Sequence, residues 1–236
     1  AALAKSMGYK VTGCDANIYP PMSDYLNDLG IEIIPGFEEN QLDIISQDNK
    51  YPDYIIIGNV IKRGMPIIER ILREKLSYIS GPDWLNKYLL KDKLVLAVAG
   101  THGKTSTSSM LAWMLTDLGL DPGYLIGGIP KDLSHPVAFG SGKYFVIEAD
   151  EYDTAFFDKR AKFVHYSPDI LILNNLEFDH ADIYSDLDAI KKQMHHVVRI
   201  VPDNGVIIAP DKNCDKYGAN ISDVLNMGVW SNIKYF

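Results

Sequence analysis

Apolar positions along the chain fall into short blocks that alternate between the period of a helix and the continuous run of a buried strand. Residues 1–8 (AALAKSMG) set Leu3, Ala4 and Met7 at helical spacing and end on a glycine in the stop position. Residues 9–14 then read as a buried strand, with Asp15 just past its end. A helix at 23–29, strands at 31–34 and 54–57 (YIII), a helix opened by Pro66 and running to Glu74, a strand at 76–80 and a helix at 82–90 continue the pattern. The uninterrupted YIII run is that of a parallel strand covered on both faces. A charged hinge at 91–93 (KDK) precedes a second series. It comprises strand 94–99 (LVLAVA), loop 100–103, helix 104–118 ended by Gly119, strands at 145–148, 170–174 and 206–209, and a helix at 187–199. Such alternation predicts an α/β fold of parallel sheets with right-handed crossovers. Because a helix leading straight into a strand is the second half of a strand–helix–strand unit, residues 1–92 are expected to form a truncated Rossmann-like domain that lacks its first strand and glycine-rich turn. Residues 93–236 form the second domain. Trp84, Trp113 and Trp230 fall at apolar positions and are expected in the core.

Composition narrows the function classes. The 236 residues, 47% of them hydrophobic and 23% charged, suffice for two modest cores. A net charge of −8 argues against a nucleic-acid binder, whose footprint is a basic face, although a few local donors are enough to hold a nucleotide. Cys14 and Cys214 are far apart and outside any metal-ligand spacing, a usage that fits a reducing compartment. No apolar run approaches the roughly 18–20 residues that span a bilayer, and the first residues do not resemble a secretion signal. A soluble, cytoplasmic protein with no membrane partner is expected.

The strongest chemical signal is residues 99–105 (AGTHGKT), set between the LVLAVA strand and a long helix. Successive N–H groups at a strand tip, joined to a helix N-terminus, make a concavity of positive potential that suits phosphate. Gly103 would let the backbone approach phosphate oxygens, Lys104 would supply a point charge, and the Thr105 hydroxyl would face Mg2+. The standard loop has a glycine where this chain has Val98, so the loop is a shortened variant. ATP is the expected ligand, held by Gly100, Thr101, His102, Gly103, Lys104, Thr105 and Ser106, and the second domain is expected to be P-loop NTPase-like. Downstream, residues 145–153 (FVIEADEYD) put acids at the C-terminal end of a strand, where ligands of open α/β sheets sit. Glu148 would point to the phosphate loop if the two strands are neighbours, and could hold Mg2+. Glu151 and Asp153 read equally well as a solvated loop. A second strand ends in residues 174–182 (NNLEFDHAD), which gather Asn175, Asp179, His180 and Asp182. His195 and His196 lie in a helix and read as packing or surface residues.

In this order, GTHGKT, EADEYD and NNLEFDHAD resemble the Mur ligases, ATP-dependent enzymes that build cell-wall peptides on a UDP-sugar. The runs at 148–165 and 15–22 (DANIYPPM) resemble the branch that joins a recovered tripeptide to UDP-N-acetylmuramate more than the branch that adds L-alanine. The resemblance implies a nucleotide-sugar domain, a central ATPase and a C-terminal domain for the amine substrate, the last absent here. It implies catalytic roles for Lys104, His180 and Asn175, Mg2+ bound by Thr105, Glu148 and His180, and a UDP-sugar pocket using Asp15 and, in the segment 58–64 (GNVIKRG), Asn59 and Arg63. Several members carry a carbamylated lysine for a second Mg2+; counting from His180, His195 stands there in this chain. The implied reaction joins the lactoyl carboxylate of UDP-N-acetylmuramate to a peptide or amino-acid acceptor through an acyl phosphate. An L-alanine-adding ligase, a phosphate-loop ATPase that makes no bond and a nucleotide-binding module remain as alternatives.

Overall fold

The structure is a computed structural model describing residues 1–46, 51–128, 130, 132–133, 135–178 and 184–236. The chain divides into two compact units: Ala1–Gly81 with Ala155–Asp158, and Pro82–Thr154 with Lys159–Phe236.

In the first unit, α1 (Ala2–Ser6) leads to β1 (Thr12–Asp15), then α2 (Met22–Asp28), β2 (Glu32–Pro35), α3 (Gln41–Ile45), β3 (Ile55–Ile57), α4 (Pro66–Arg73) and β4 (Tyr78–Ser80). β1 pairs in parallel with β2, and β3 with β4, as two separate two-stranded sheets. Pro66 opens α4 because its missing N–H is an orphan at a helix start in any case, and Met65 before it is extended. The same helix buries Ile67, Ile68 and Ile71 against Leu42 and Ile57, with Phe156 packed on the cluster. Arg70, on its outer side, ties α4 to Asp43 at 2.6 Å and to Glu74 at 2.8 Å. Asp15 is the last residue of β1, one position earlier in the fold than its sequence context suggests.

The second unit is organised by one seven-stranded sheet. Its elements are α5 (Gly81–Tyr88), a 3-10 turn (Leu90–Asp92), β5 (Leu94–Ala99), α6 (Lys104–Asp117), β6 (Gly123–Leu125), β7 (Val137–Ala138), β8 (Tyr144–Glu148), β9 (Asp153–Ala155), β10 (Asp158–Ala161), a 3-10 turn (Lys162–His165), β11 (Ile170–Leu173), α7 (Leu187–Val198), β12 (Val206–Ala209), α8 (Lys216–Asn226) and β13 (Asn232–Tyr235). The strand order is β13-β12-β11-β5-β8-β6-β7, with only β7 antiparallel, while β9 and β10 form a separate two-stranded sheet. From β5 the chain first builds towards β6 and β8, then returns to β11 and runs the other way. β5 therefore sits at a switch point, and the crevice outside its C-terminal end is where ligands of such sheets bind. β5 and β8 are neighbours, as the acidic motif required, with Val98 opposite Glu148. Val95 to Ala99 are all buried, as is Phe145 to Ile147 of β8. Asp186 and Asp215 cap α7 and α8 by accepting backbone N–H groups, and Lys191 reaches Asp223 at 2.7 Å between those helices. No helix among the described residues is long and apolar enough to cross a membrane.

Several expectations about burial are overturned: no residue of 9–14 is buried, and Ile56 of β3, in the run expected to be covered on both faces, is 47% exposed. Trp113 is 47% exposed and Trp230 is 60% exposed. α6 is apolar on both sides: Leu111, Ala112 and Leu115 pack on the core, while Met110, Trp113 and Met114 are exposed. Its periodicity therefore could not say which side is inside. Trp230 belongs to the approach to β13. Trp84 is partly buried, its ring 5.7 Å from that of Tyr88.

The central layer yields two stability predictions. Phe145→Ala empties a fully buried site in β8 and is expected to cost ~3–5 kcal/mol, read from urea unfolding. Gly123→Ala would push a Cβ into the Phe139 carbonyl oxygen and the Phe145 ring, with an expected cost of ~1–3 kcal/mol by the same measurement.

Candidate active site

The apolar run of β5 ends at Ala99, and the chain turns within residues 100–103 into α6. Two glycines make that turn possible. Gly103 holds φ +77 as the N-cap of α6, and Gly100 holds φ +142, with room for a Cβ denied by Asn175, whose backbone oxygen would lie 3.0 Å away. No side chain caps α6, so the N–H groups of its first turn, at Lys104, Thr105 and Ser106, are left to an external acceptor. An uncapped helix head behind a buried strand fits a phosphate group.

The loop is fastened to the end of β11. Thr101 N–H donates to the Asn175 carbonyl at 3.2 Å, His102 N–H donates to Asn175 Oδ1 at 2.8 Å, and Asn175 Nδ2 donates to the His102 carbonyl at 3.0 Å. Both ends of the Asn175 amide are thus engaged by loop backbone, which gives it the part of a loop anchor. Glu177 extends the fastening: its N–H donates to Thr101 Oγ1 at 3.0 Å, its carboxylate meets His102 Nε2 at 2.7 Å, and Lys216 approaches at 3.4 Å. The His102 contact foremost, then Lys216, holds the Glu177 carboxyl below the usual carboxylate range. Asn174 adds a bond from Nδ2 to Thr107 Oγ1 at 3.0 Å.

The two acids of the β8 motif part company. Glu148 accepts from Gly127 N–H at 3.0 Å. A Cβ on Gly127 would lie 3.1 Å from Glu148 Oε2, and one on Gly128 would lie 3.4 Å from Thr105 Cγ2. Thr105, through its methyl group, and Glu148, through its carboxylate, therefore lie against the same pair of glycines; a threonine hydroxyl and a carboxylate are the hard oxygen donors that Mg2+ takes. Lys104 turns instead to Glu151: its Nζ lies 3.1 Å from Glu151 Oε2 and 2.7 Å from the Gly100 carbonyl. The acidic turn is held by Tyr184, whose hydroxyl donates to the Glu151 carbonyl at 2.6 Å. Burial, then the nearby charges of Glu151, Asp153 and Asp150, pushes the Tyr184 hydroxyl up.

The remaining expected residues fall elsewhere. His180, with Asp179 and Asp182, lies outside the described residues. His195 Nε2 meets the Gly228 carbonyl at 3.0 Å. Gly228 precedes β13, whose Asn232 pairs with Val206 at the start of β12, so His195 lies towards the edge where strands begin, opposite to the phosphate loop. Within the first unit, Asp15 accepts from Asn17 N–H at 2.9 Å, and Asn59 is exposed after β3. Arg63 is engaged with Glu69 at 2.9 and 3.1 Å, and this pairing foremost, with Gly64 N–H, lowers the Glu69 carboxyl to about 2. Missing from the expected set were Glu151, Glu177, Lys216 and Gly127. The first two sit inside motifs already singled out, whereas Lys216 and Gly127 carry no sequence signal.

Residues 98–233 match the Mur ligase middle domain, and residues 1–93 match the model described as Mur ligase family, catalytic domain. The UDP-N-acetylmuramate--L-alanyl-gamma-D-glutamyl-meso-2,6-diaminoheptandioate ligase of Escherichia coli (strain K12) is 52% identical over 231 residues, 98% of this chain and 48% of its own length. A UDP-N-acetylmuramate--L-alanine ligase of Chlorobium luteolum is 34% identical over 88% of this chain and 41% of its own. The crystal structure of UDP-N-acetylmuramate:L-alanyl-gamma-D-glutamyl-meso-diaminopimelate ligase from Neisseria meningitides superposes with a TM-score of 0.90 at 50% identity, covering 100% of this chain and 72% of that one. The chain spans about half the length of the curated relatives it matches. With the matched middle domain covering more than half of its residues, the chain belongs to the Mur ligase family.

Proposed function

We propose that this chain forms the nucleotide-sugar and ATP-binding parts of an ATP-dependent ligase. The enzyme joins the lactoyl carboxylate of UDP-N-acetylmuramate to the tripeptide L-alanyl-γ-D-glutamyl-meso-diaminopimelate in peptidoglycan recycling in the cytoplasm. Residues 1–92 would take the UDP-sugar, with Asp15, Asn59 and Arg63 among its contacts, and residues 93–236 would take ATP and Mg2+. The observation that carries the reading is the uncapped head of α6, with Lys104 at its first position and Thr105 and Glu148 flanking one pair of glycines. The choice of tripeptide over L-alanine is supported by 52% identity to a tripeptide ligase against 34% to an L-alanine ligase.

A carboxylate is a poor electrophile, and ATP supplies the phosphoryl group that turns it into a mixed anhydride. In that step a carboxylate oxygen bonds to the γ-phosphorus and the bond to the ADP oxygen breaks. The acceptor amine then bonds to the carbonyl carbon, inorganic phosphate leaves with the bonding pair, and the amine loses a proton to give the amide. The chain's part is positioning and charge neutralisation. The loop N–H groups and Lys104 hold phosphate oxygens and offset the charge of two anions brought together. Asn175 and Glu177 keep the loop in shape from behind. Thr105 and Glu148 would hold the cation, and His180 would join them or face the transferring group.

Lys104→Ala is expected to lower ATP turnover in the intact enzyme by ~10²–10³-fold, measured as ADP release in the presence of UDP-N-acetylmuramate. Near-normal turnover would count against the assignment. Glu148→Gln is expected to weaken the response to Mg2+ by at least about tenfold, partly recovered at high Mg2+; an unchanged Mg2+ titration would remove it from the cation site. Product analysis with both acceptors should show the tripeptide consumed in preference to L-alanine, and the reverse preference would favour the L-alanine-adding reading.

A further inference from the structure

Lys104 is not free to await a phosphate. Its side chain is 15% exposed and that of Glu151 is 5% exposed, and the two are in contact at 3.1 and 3.4 Å through both carboxylate oxygens. The ammonium also lies 2.7 Å from the Gly100 carbonyl and 3.5 Å from that of Thr101. All three partners draw Nζ back over the loop rather than out to solvent. Buried charges are stable only when paired, so an enclosed lysine in a phosphate loop without an anion would need one. Glu151 is that anion, built into the chain.

The backbone that carries Glu151 is held on several sides. β8 ends three residues before it, and Tyr184 holds its carbonyl. Either side of it the backbone is tied to the segment after β10: Lys162 N–H donates to the Tyr152 carbonyl at 2.9 Å, and Phe163 N–H donates to the Asp150 carbonyl at 3.3 Å. A phosphate oxygen reaching Nζ must therefore share the ammonium with this carboxylate or displace it, and two anions repel at this range. In exchange, the four-carbon stem of Lys104 is already ordered before binding, which removes part of the entropy of immobilising it.

We propose that Glu151 is a positioning residue for Lys104: an internal anion that presets the ammonium in the phosphate loop and is exchanged for a nucleotide phosphate oxygen on binding. This rests on the ATP-binding reading above. The test is calorimetric titration of MgADP into the wild-type protein and the Glu151→Gln, Glu151→Asp and Lys104→Ala variants, with KM and kcat for ATP measured in the intact enzyme. Glu151→Gln is expected to bind MgADP about threefold to tenfold more tightly, with KM for ATP lowered and kcat no higher than wild type. Glu151→Asp, whose carboxylate is drawn back by one methylene, should fall between the two. A merely structural role predicts the opposite sign, since a damaged loop binds nucleotide less well. Wild-type or weaker affinity in a folded Glu151→Gln protein overturns the proposal; should that variant not fold, wild-type or weaker affinity in Glu151→Asp does so. If the wild-type protein binds no MgADP, or Lys104→Ala binds it equally well, the nucleotide reading fails instead. The two failures are therefore distinct.

Discussion

The site depends on one junction, where a strand buried on both faces must turn within four residues into a helix whose first N–H groups have no capping side chain. Strand burial fixes where the turn begins, because Ala99 cannot move without disturbing the middle of the sheet. The left-handed backbone at Gly103 fixes how it ends. Between them the loop has little stabilisation of its own, and the side chains that fasten it come from the neighbouring strand end at Asn174, Asn175 and Glu177. A helix head of this kind gains most from an anion, through both its unpaired N–H groups and the helix dipole.

Charge around the junction is sorted by side. Glu148 lies with Thr105 beside the two glycines after β6, Glu151 lies against Lys104, and Glu177 lies between His102 and Lys216. A chain with net charge −8 can thus serve a polyanionic ligand, because the acids nearest the loop either face the corner proposed for the cation or are already paired with a basic side chain. In the proposed reaction Glu148 would meet the phosphates through the cation, whereas Glu151 would give up Lys104 to them.

Much of this was legible in the sequence. The strand 94–99 and its following helix matched to within a residue, because an unbroken apolar run, two glycines and GKT leave little freedom. Likewise β12 was read in full, from a continuous apolar run. Short strands escaped: β6, β7, β13 and the β9–β10 pair are made of mixed or polar residues, and their pairing is set by tertiary neighbours; the helices α3 and α8 escaped as well. Glu151 could not be separated from a solvated acid, because whether a carboxylate three residues past a strand meets a lysine 47 positions earlier depends on which strands are neighbours. The two exposed tryptophans misled for a related reason, since an apolar side chain reports hydrophobicity without saying which face it lies on.

The most direct measurement is a crystal structure of the protein with a non-hydrolysable ATP analogue and Mg2+. The account predicts phosphate oxygens within hydrogen-bond distance of Lys104 Nζ and the N–H groups opening α6, with the cation between Thr105 and Glu148. A nucleotide seated away from the head of α6, or a cation held with neither of those two side chains, would contradict it.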